Sequence, residues 1–167
     1  MSVFIKLANR LSLFGAWLSA FILIYSVCHV LLDIVLRVGF GTSTHTMDEM
    51  VGYAVGAMTF MALAYSESQR SLIRVNVLHG FLSRKSRHVL DLVCLLLTLG
   101  STAFLFFFMG RVTLRDFERG RVSIGMAEIP LWIPQSILLV GLAIFMVQLV
   151  ASMVGLCIRL SDLTEEA

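Results

Sequence analysis

Residues 11–32 read LSLFGAWLSAFILIYSVCHVLL, 22 positions without Asp, Glu, Lys or Arg. A helix needs about 20 predominantly apolar residues to cross the hydrocarbon of a bilayer, so this stretch reads as a membrane span. Three more charge-free runs follow: 17 residues over 50–66, 19 over 92–110 and 30 over 129–158. With their helix ends added, the spans are placed at 11–36, 48–66, 89–112 and 130–158 of one domain covering 1–167. The second is short in its apolar part, but Asp48 and Glu49 can stand at headgroup level and lengthen it. The fourth is long enough to tilt, or to begin with a non-helical approach through Pro130 and Pro134.

The composition agrees. Of 167 residues, 58% are hydrophobic and 14% charged, against about 25% charged in soluble domains. Mean hydropathy is +0.90. A net charge of +2 is no polyphosphate footprint, so nucleic acid is excluded as a partner. Lys6 and Arg10 resemble a signal-peptide n-region, but the first run exceeds the usual h-region and charged residues follow it; an uncleaved anchor is expected. Cys28, Cys94 and Cys157 each lie in an apolar run, far apart, and are expected as core-like small hydrophobes.

Lys and Arg counts set the orientation. The two tails and the loop between spans two and three carry eight; the other two loops carry five. Both termini are therefore placed in the cytoplasm, with Trp132 in the outer aromatic belt.

Several loop features carry weight. Thr46 to Glu49 has the spacing of a capping box, and the acidic pair Asp48-Glu49 complements the dipole of the second helix. His29, Asp33 and Arg37 stand four apart on one face, and Asp33 and Arg37 are expected to pair. A structural anchor and an ion pathway are both readings of that pair; a relay would want a second intramembrane carboxylate, and no other run holds one. Leu72, Val75, Leu78 and Leu82 recur at helical spacing beside Arg74, predicting an interfacial helix over 71–83 that lies on lipid or braces a partner. Gly52 and Gly56 form a GxxxG step for close approach to a helix of this chain or of a partner. Arg111, Arg115 and Arg119 share a face beyond span three, suited to headgroups or to an acidic soluble protein.

No phosphate-cradling Gly-rich loop, HExxH helix or Ser-centred elbow is present, so ATPase and hydrolase readings fall away. Only His29 lies well inside a run, which disfavours a haem protein with paired axial histidines. Spans with almost no polar interior make a poor pore. The residues thus give an all-α membrane protein: four transmembrane helices plus a short amphipathic interfacial helix between spans two and three, more a subunit than a solitary machine.

Four segments then occur in order: Arg37-Val38-Gly39-Phe40-Gly41, Asp48-Glu49, Ile73-Arg74-Val75-Asn76-Val77-Leu78 and Ile129-Pro130-Leu131-Trp132. Over roughly residues 10 to 158 the chain resembles the small membrane subunit (DctQ-like) of the tripartite ATP-independent periplasmic (TRAP) transporters. That family carries Arg-x-x-Phe-Gly after its first span, an acidic pair opening its second, His-Ile-Arg-Val-Asp after the second, and Ile-Pro-x-Trp opening its fourth. Leu72 stands where the family often has His, and Asn76 where it often has Asp.

The resemblance implies a scaffold subunit of a sodium-coupled importer of an organic acid, in the bacterial inner membrane. It carries no substrate site, enzymatic activity, metal or cofactor. The implied partners are a large multi-span membrane subunit, a periplasmic substrate-binding protein and membrane lipid. Arg37, Asp48, Glu49, Gly52, Gly56, Arg74 and Trp132 are expected at the partner interface or as anchors. Arg111, Arg115 and Arg119 are candidates for docking the binding protein. The rivals are a self-sufficient proton-coupled transporter using Asp33 and a b-type haem protein.

Overall fold

The computed structural model describes residues 3–42, 47–69, 84–123 and 128–165; side chains are described for 3–42, 50–69, 89–123 and 128–158. Four helices account for most of them: α1 Val3–Phe40, α2 Met47–Ser68, α3 Arg84–Glu118 and α4 Trp132–Glu165. Among the described residues there is no strand, only an isolated antiparallel bridge between Val122 and Pro130. The chain is an all-α membrane protein. The interfacial helix expected over 71–83, with Arg74, lies outside the described residues.

α1, α3 and α4 are long and apolar enough to cross a bilayer. α2 does not reach that apolarity over its described residues, and the packing explains why it need not. It lies between α1 and α4 and contacts both, whereas α3 packs chiefly on α4. A helix flanked by protein on two sides shows less of itself to lipid.

The helices pack with their small and polar residues inward. On α1, Ser12, Ser26 and Asp33 are buried, and Ser19 hydrogen-bonds across to the Met58 carbonyl at 2.9 Å. These four recur every seventh residue, the repeat that keeps one seam of a helix facing its neighbour. α4 repeats the pattern with Pro134, Gly141, Gln148 and Gly155, of which the first three are buried. Lipid tails are as apolar as Leu, so burial of Leu gains little in a bilayer; close backbone approach and interhelical hydrogen bonds hold the helices instead. Many large side chains accordingly face out, Trp17, Phe21, Phe104 and Phe107 among them, while Met61, Leu142, Phe145 and Leu149 fill the interior between the close contacts.

Two expectations are corrected on the same ground. Cys28, Cys94 and Cys157 are all exposed on the outer surface rather than packed as core. The interior, expected to be almost free of polar groups, buries Ser12, Ser26, Thr102 and Gln148 within the apolar runs. Both follow from a solvent that welcomes apolar side chains outside.

The register follows from the contacts. A Cβ at Gly15 would touch Met61, and Ser19 meets Met58, so α1 and α2 are antiparallel. Gly56 faces Leu138 and Gly141 faces Phe60 and Met61, so α2 and α4 run parallel. A cluster of Ala64, Leu95, Phe145, Leu149 and Leu156 joins α2, α3 and α4. The bundle therefore has one end that carries the α1–α2 and α3–α4 connections, here the hairpin end, and another that carries both termini.

Candidate functional site

Three polar constellations hold the bundle, and each joins groups that sequence spacing brings near or the fold does. The first lies toward the terminal end. The Ser12 hydroxyl donates to Gln148 Oε1 at 2.8 Å, and Gln148 Nε2 donates to Asn9 Oδ1 at 3.1 Å. Ser12 is 0% and Gln148 3% exposed, so a polar link of α1 to α4 is sealed inside. Six residues beyond Met61, Glu67 stands at the level of Asn9, six residues before Gly15; it is 2% exposed and has interaction partners of its own. Sequence reading passed over Glu67 because it terminates the second apolar run. Its signal was the seam of α2, in which Ala57, Met61, Ala64 and Glu67 follow one another by steps of four, three and three.

The second constellation is at the hairpin end of α1. Arg37 donates to Asp33 Oδ2 at 3.0 Å, with the Asp33 side chain 1% exposed and that of Arg37 67% exposed. One turn earlier, His29 stacks on Tyr25, their ring centroids 5.8 Å apart. The ladder Tyr25, His29, Asp33, Arg37 runs up one face by steps of four. α1 ends three residues after Arg37, and Gly41 turns the chain away with φ of 63°.

The third joins α3 to α4. Gly120, with φ of 59°, lets the chain leave α3 in a Schellman turn: its N–H reaches the Phe117 carbonyl at 3.2 Å and that of Arg121 the Asp116 carbonyl at 3.0 Å. That turn swings the Arg121 guanidinium onto Asp116 Oδ1 at 3.3 Å, while Gln135 Nε2 donates to Asp116 Oδ2 at 3.0 Å. One buried carboxylate thus ties α3, the connection and α4. The Gln135 hydrogen bond, then the Arg121 charge, hold the Asp116 carboxyl below its usual range against the opposing effect of burial. Ser123 and Ile129 pair through the backbone at 2.8 Å, and Phe117 meets Trp132 edge-on at 5.4 Å.

The residues singled out from sequence fall as follows. Arg37 pairs with Asp33 as expected. Asp48 and Glu49 occupy the first turn of α2, with side chains outside the described set. Trp132 opens α4 and packs on Phe117. Arg111 lies over the Phe107 ring, 5.7 Å from its centroid. Arg111 and Arg115 stand on the face of α3 away from Thr113 and Asp116, and Arg119 continues into the capping turn; all three are exposed. Of the GxxxG pair, Gly56 comes close to another helix, its Cβ position 3.0 Å from Leu138 Cδ1, while Gly52 faces open space. The closest approach to the backbone of a neighbouring helix is at Gly141, a residue the sequence alone did not single out: a Cβ there would stand 3.2 Å from Phe60 Cβ and 3.3 Å from the Met61 backbone nitrogen.

A cavity of about 230 Å³ opens between α1, α2 and α4, with Tyr25, Tyr53 and Pro134 on its wall and Ile, Met and Ala side chains completing it. It offers no charged group to an organic anion. Among the described residues no cluster of His, Cys, Asp or Glu is arranged to hold a metal.

Residues 26–158 match the family model described as "Tripartite ATP-independent periplasmic transporters, DctQ component". Comparison with curated proteins and with solved structures found no match.

Proposed function

The chain belongs to the DctQ family of tripartite ATP-independent periplasmic transporters, and from that premise we propose that it is the scaffold of a sodium-coupled importer of an organic acid. A family of this kind is a transporter component of bacterial membranes, working with a large membrane subunit and a substrate-binding protein. In this reading the chain stands in the inner membrane with both termini cytoplasmic. It supports the large subunit and binds no substrate itself. Arg37, Asp48, Glu49, Gly52, Gly56, Arg74 and Trp132 set helix ends and meet the large subunit or the bilayer, and Arg111, Arg115 and Arg119 turn toward the binding protein.

The observation that carries this reading is the use of the polar groups. Gln148 bonds both Ser12 and Asn9, Asp116 bonds both Arg121 and Gln135, and Asp33 pairs with Arg37. Each link has a buried member, Ser12 and Gln148 in the first, Asp116 in the second and Asp33 in the third, and buried polar groups satisfied in this way specify a rigid packing. The outward faces of α1 and α3 are meanwhile broad and apolar. A rigid body with apolar flanks suits a support better than a moving carrier.

The test is affinity purification of the tagged chain from its native cells in mild detergent, followed by mass spectrometry. A multi-span partner near one-to-one is expected. Recovery of the chain alone as a stable monomer or homodimer, with uptake activity in proteoliposomes, overturns the scaffold role.

A further inference from the structure

A cleft of about 290 Å³ runs between the second half of α3 and the start of α4, lined by Gly110, Leu114 and Phe117 on one side and Trp132, Ser136 and Leu139 on the other. Its hydroxyl groups are already used. Thr113 donates to the Met109 carbonyl at 2.8 Å and Ser136 to the Trp132 carbonyl at 2.6 Å. The cleft therefore demands no hydrogen bond of an occupant, which marks the occupant as apolar. Nothing lies within 4 Å of a Cβ position at Gly110, so the room beside it is unfilled.

The hairpin end of the cleft is cationic. The Leu131 N–H donates to the Arg121 carbonyl at 3.1 Å, which fixes Arg121 beside the first turn of α4 and Trp132. Its guanidinium rests against buried Asp116 yet the side chain stays 56% exposed. Arg119, exposed in the capping turn, stands two residues before Arg121, whereas Arg111 and Arg115 stand on the opposite face of α3. Trp and Arg at the end of an apolar helix mark the headgroup level of a bilayer. An apolar groove ending beside an exposed guanidinium at that level is complementary to one kind of molecule in its surroundings.

We propose that this cleft holds an acyl chain of an anionic phospholipid whose phosphate meets Arg121. The inference requires only that α3 and α4 cross the membrane, and it stands apart from the scaffold role. Asp116 is then a positioning residue, since it aims the cation rather than touching the lipid.

The experiment is native mass spectrometry of the purified full-length chain, offered equal amounts of phosphatidylglycerol and phosphatidylcholine with the same chains. One retained phosphatidylglycerol is expected, preferred by about fivefold, the effect of one Arg near an anionic surface. Gly110→Leu, which grows a side chain into the open space, should lose the adduct with its melting temperature unchanged; Ser136→Leu, filling the same cleft from α4, should do the same. Arg121→Gln should keep an adduct but bring the two lipids to parity. Equal retention of both lipids by the wild type, or undiminished phosphatidylglycerol in both filled-cleft variants, overturns the proposal. So does a photoactivatable leucine analogue at position 114, on the cleft wall, that crosslinks to another membrane protein in native membranes instead of to lipid.

Discussion

Replacing Gly141 tests how the bundle is held. An Ala Cβ there would lie 3.2 Å from Phe60 Cβ, 3.3 Å from Met61 Cγ and 3.3 Å from the Met61 backbone nitrogen. Carbon atoms rest at about 3.5–4.0 Å, so α2 and α4 must part by a few tenths of an ångström. The Met61 side chain can shift; its backbone nitrogen moves only with α2. Against this, exchanging Gly for Ala inside a helix gains about 0.5–1 kcal/mol of backbone entropy. Gly141→Ala is therefore expected near neutral. Gly141→Leu adds three further carbons at the same contact and should cost about 1–3 kcal/mol, the usual range for overpacking. On the scale of about 2–4 °C per kcal/mol for chains of this size, the melting temperature falls by about 2–12 °C. The assay is thermal unfolding of the purified chain in detergent, followed by size-exclusion fluorescence. Gly52→Leu is the control, because open space surrounds Gly52. If Gly141→Leu melts with the wild type, or Gly52→Leu falls as far, the argument from close approach is wrong.

Three further outcomes are expected. A double-mutant cycle of Ser12→Ala and Gln148→Leu should give a coupling of about 0.6 kcal/mol, typical of interhelical hydrogen bonds in a bilayer, when read by the same melting assay; additive effects would dissociate the two groups. Asp116→Asn should loosen the α3–α4 junction, seen as faster cleavage of the connection by added protease. The Asp116 carboxyl is lowered when folded, so its contribution is present above the ordinary carboxylate range and fades as pH falls through the lowered value. The wild-type advantage over Asp116→Asn should thus hold from pH 7 down to about pH 4 and shrink below it. Asp33→Asn keeps the volume of a buried side chain and removes its charge. Uptake by the assembled transporter should survive it, and abolished uptake with normal assembly would restore Asp33 as a transport residue.

The spans were legible because lipid imposes a crude rule: long runs without charge. The packing seam was written in the same residues but in weaker signs. Ser12, Ser19, Ser26 and Asp33, and on α4 Gly141, Gln148 and Gly155, recur by sevens. Small and polar residues inside an apolar run attract little notice when hydrophobicity is the quantity followed. The Gly52–Gly56 step was visible as a motif, yet only Gly56 faces another helix, since a GxxxG spacing says nothing of which face the neighbour takes. The Asp33–Arg37 pair was readable from its spacing of four. The Asp116–Gln135 link was not: it joins residues 19 apart through a turn whose direction depends on Gly120. Glu67 was hidden by counting it as the end of a run rather than as the next residue of the α2 seam.

The confinement of α2 bears on how the chain is made. α2 relies on α1 and α4 for its surroundings, and of the four helices it alone has no described stretch apolar enough to cross a bilayer unaided. α1 is synthesised before it, but α4 begins at Trp132, 64 residues after α2 ends at Ser68. At about 5–20 residues per second, α2 spends about 3–13 s in or beside the insertion machinery with one flank bare. During that interval the surfaces of Gly56, Phe60 and Met61 that face Leu138 and Gly141 have no α4 to meet. A chain halted after α3 should accordingly be cleared by membrane proteases faster than the complete one, and the half-life measured by pulse-chase reports when the last helix closes the bundle.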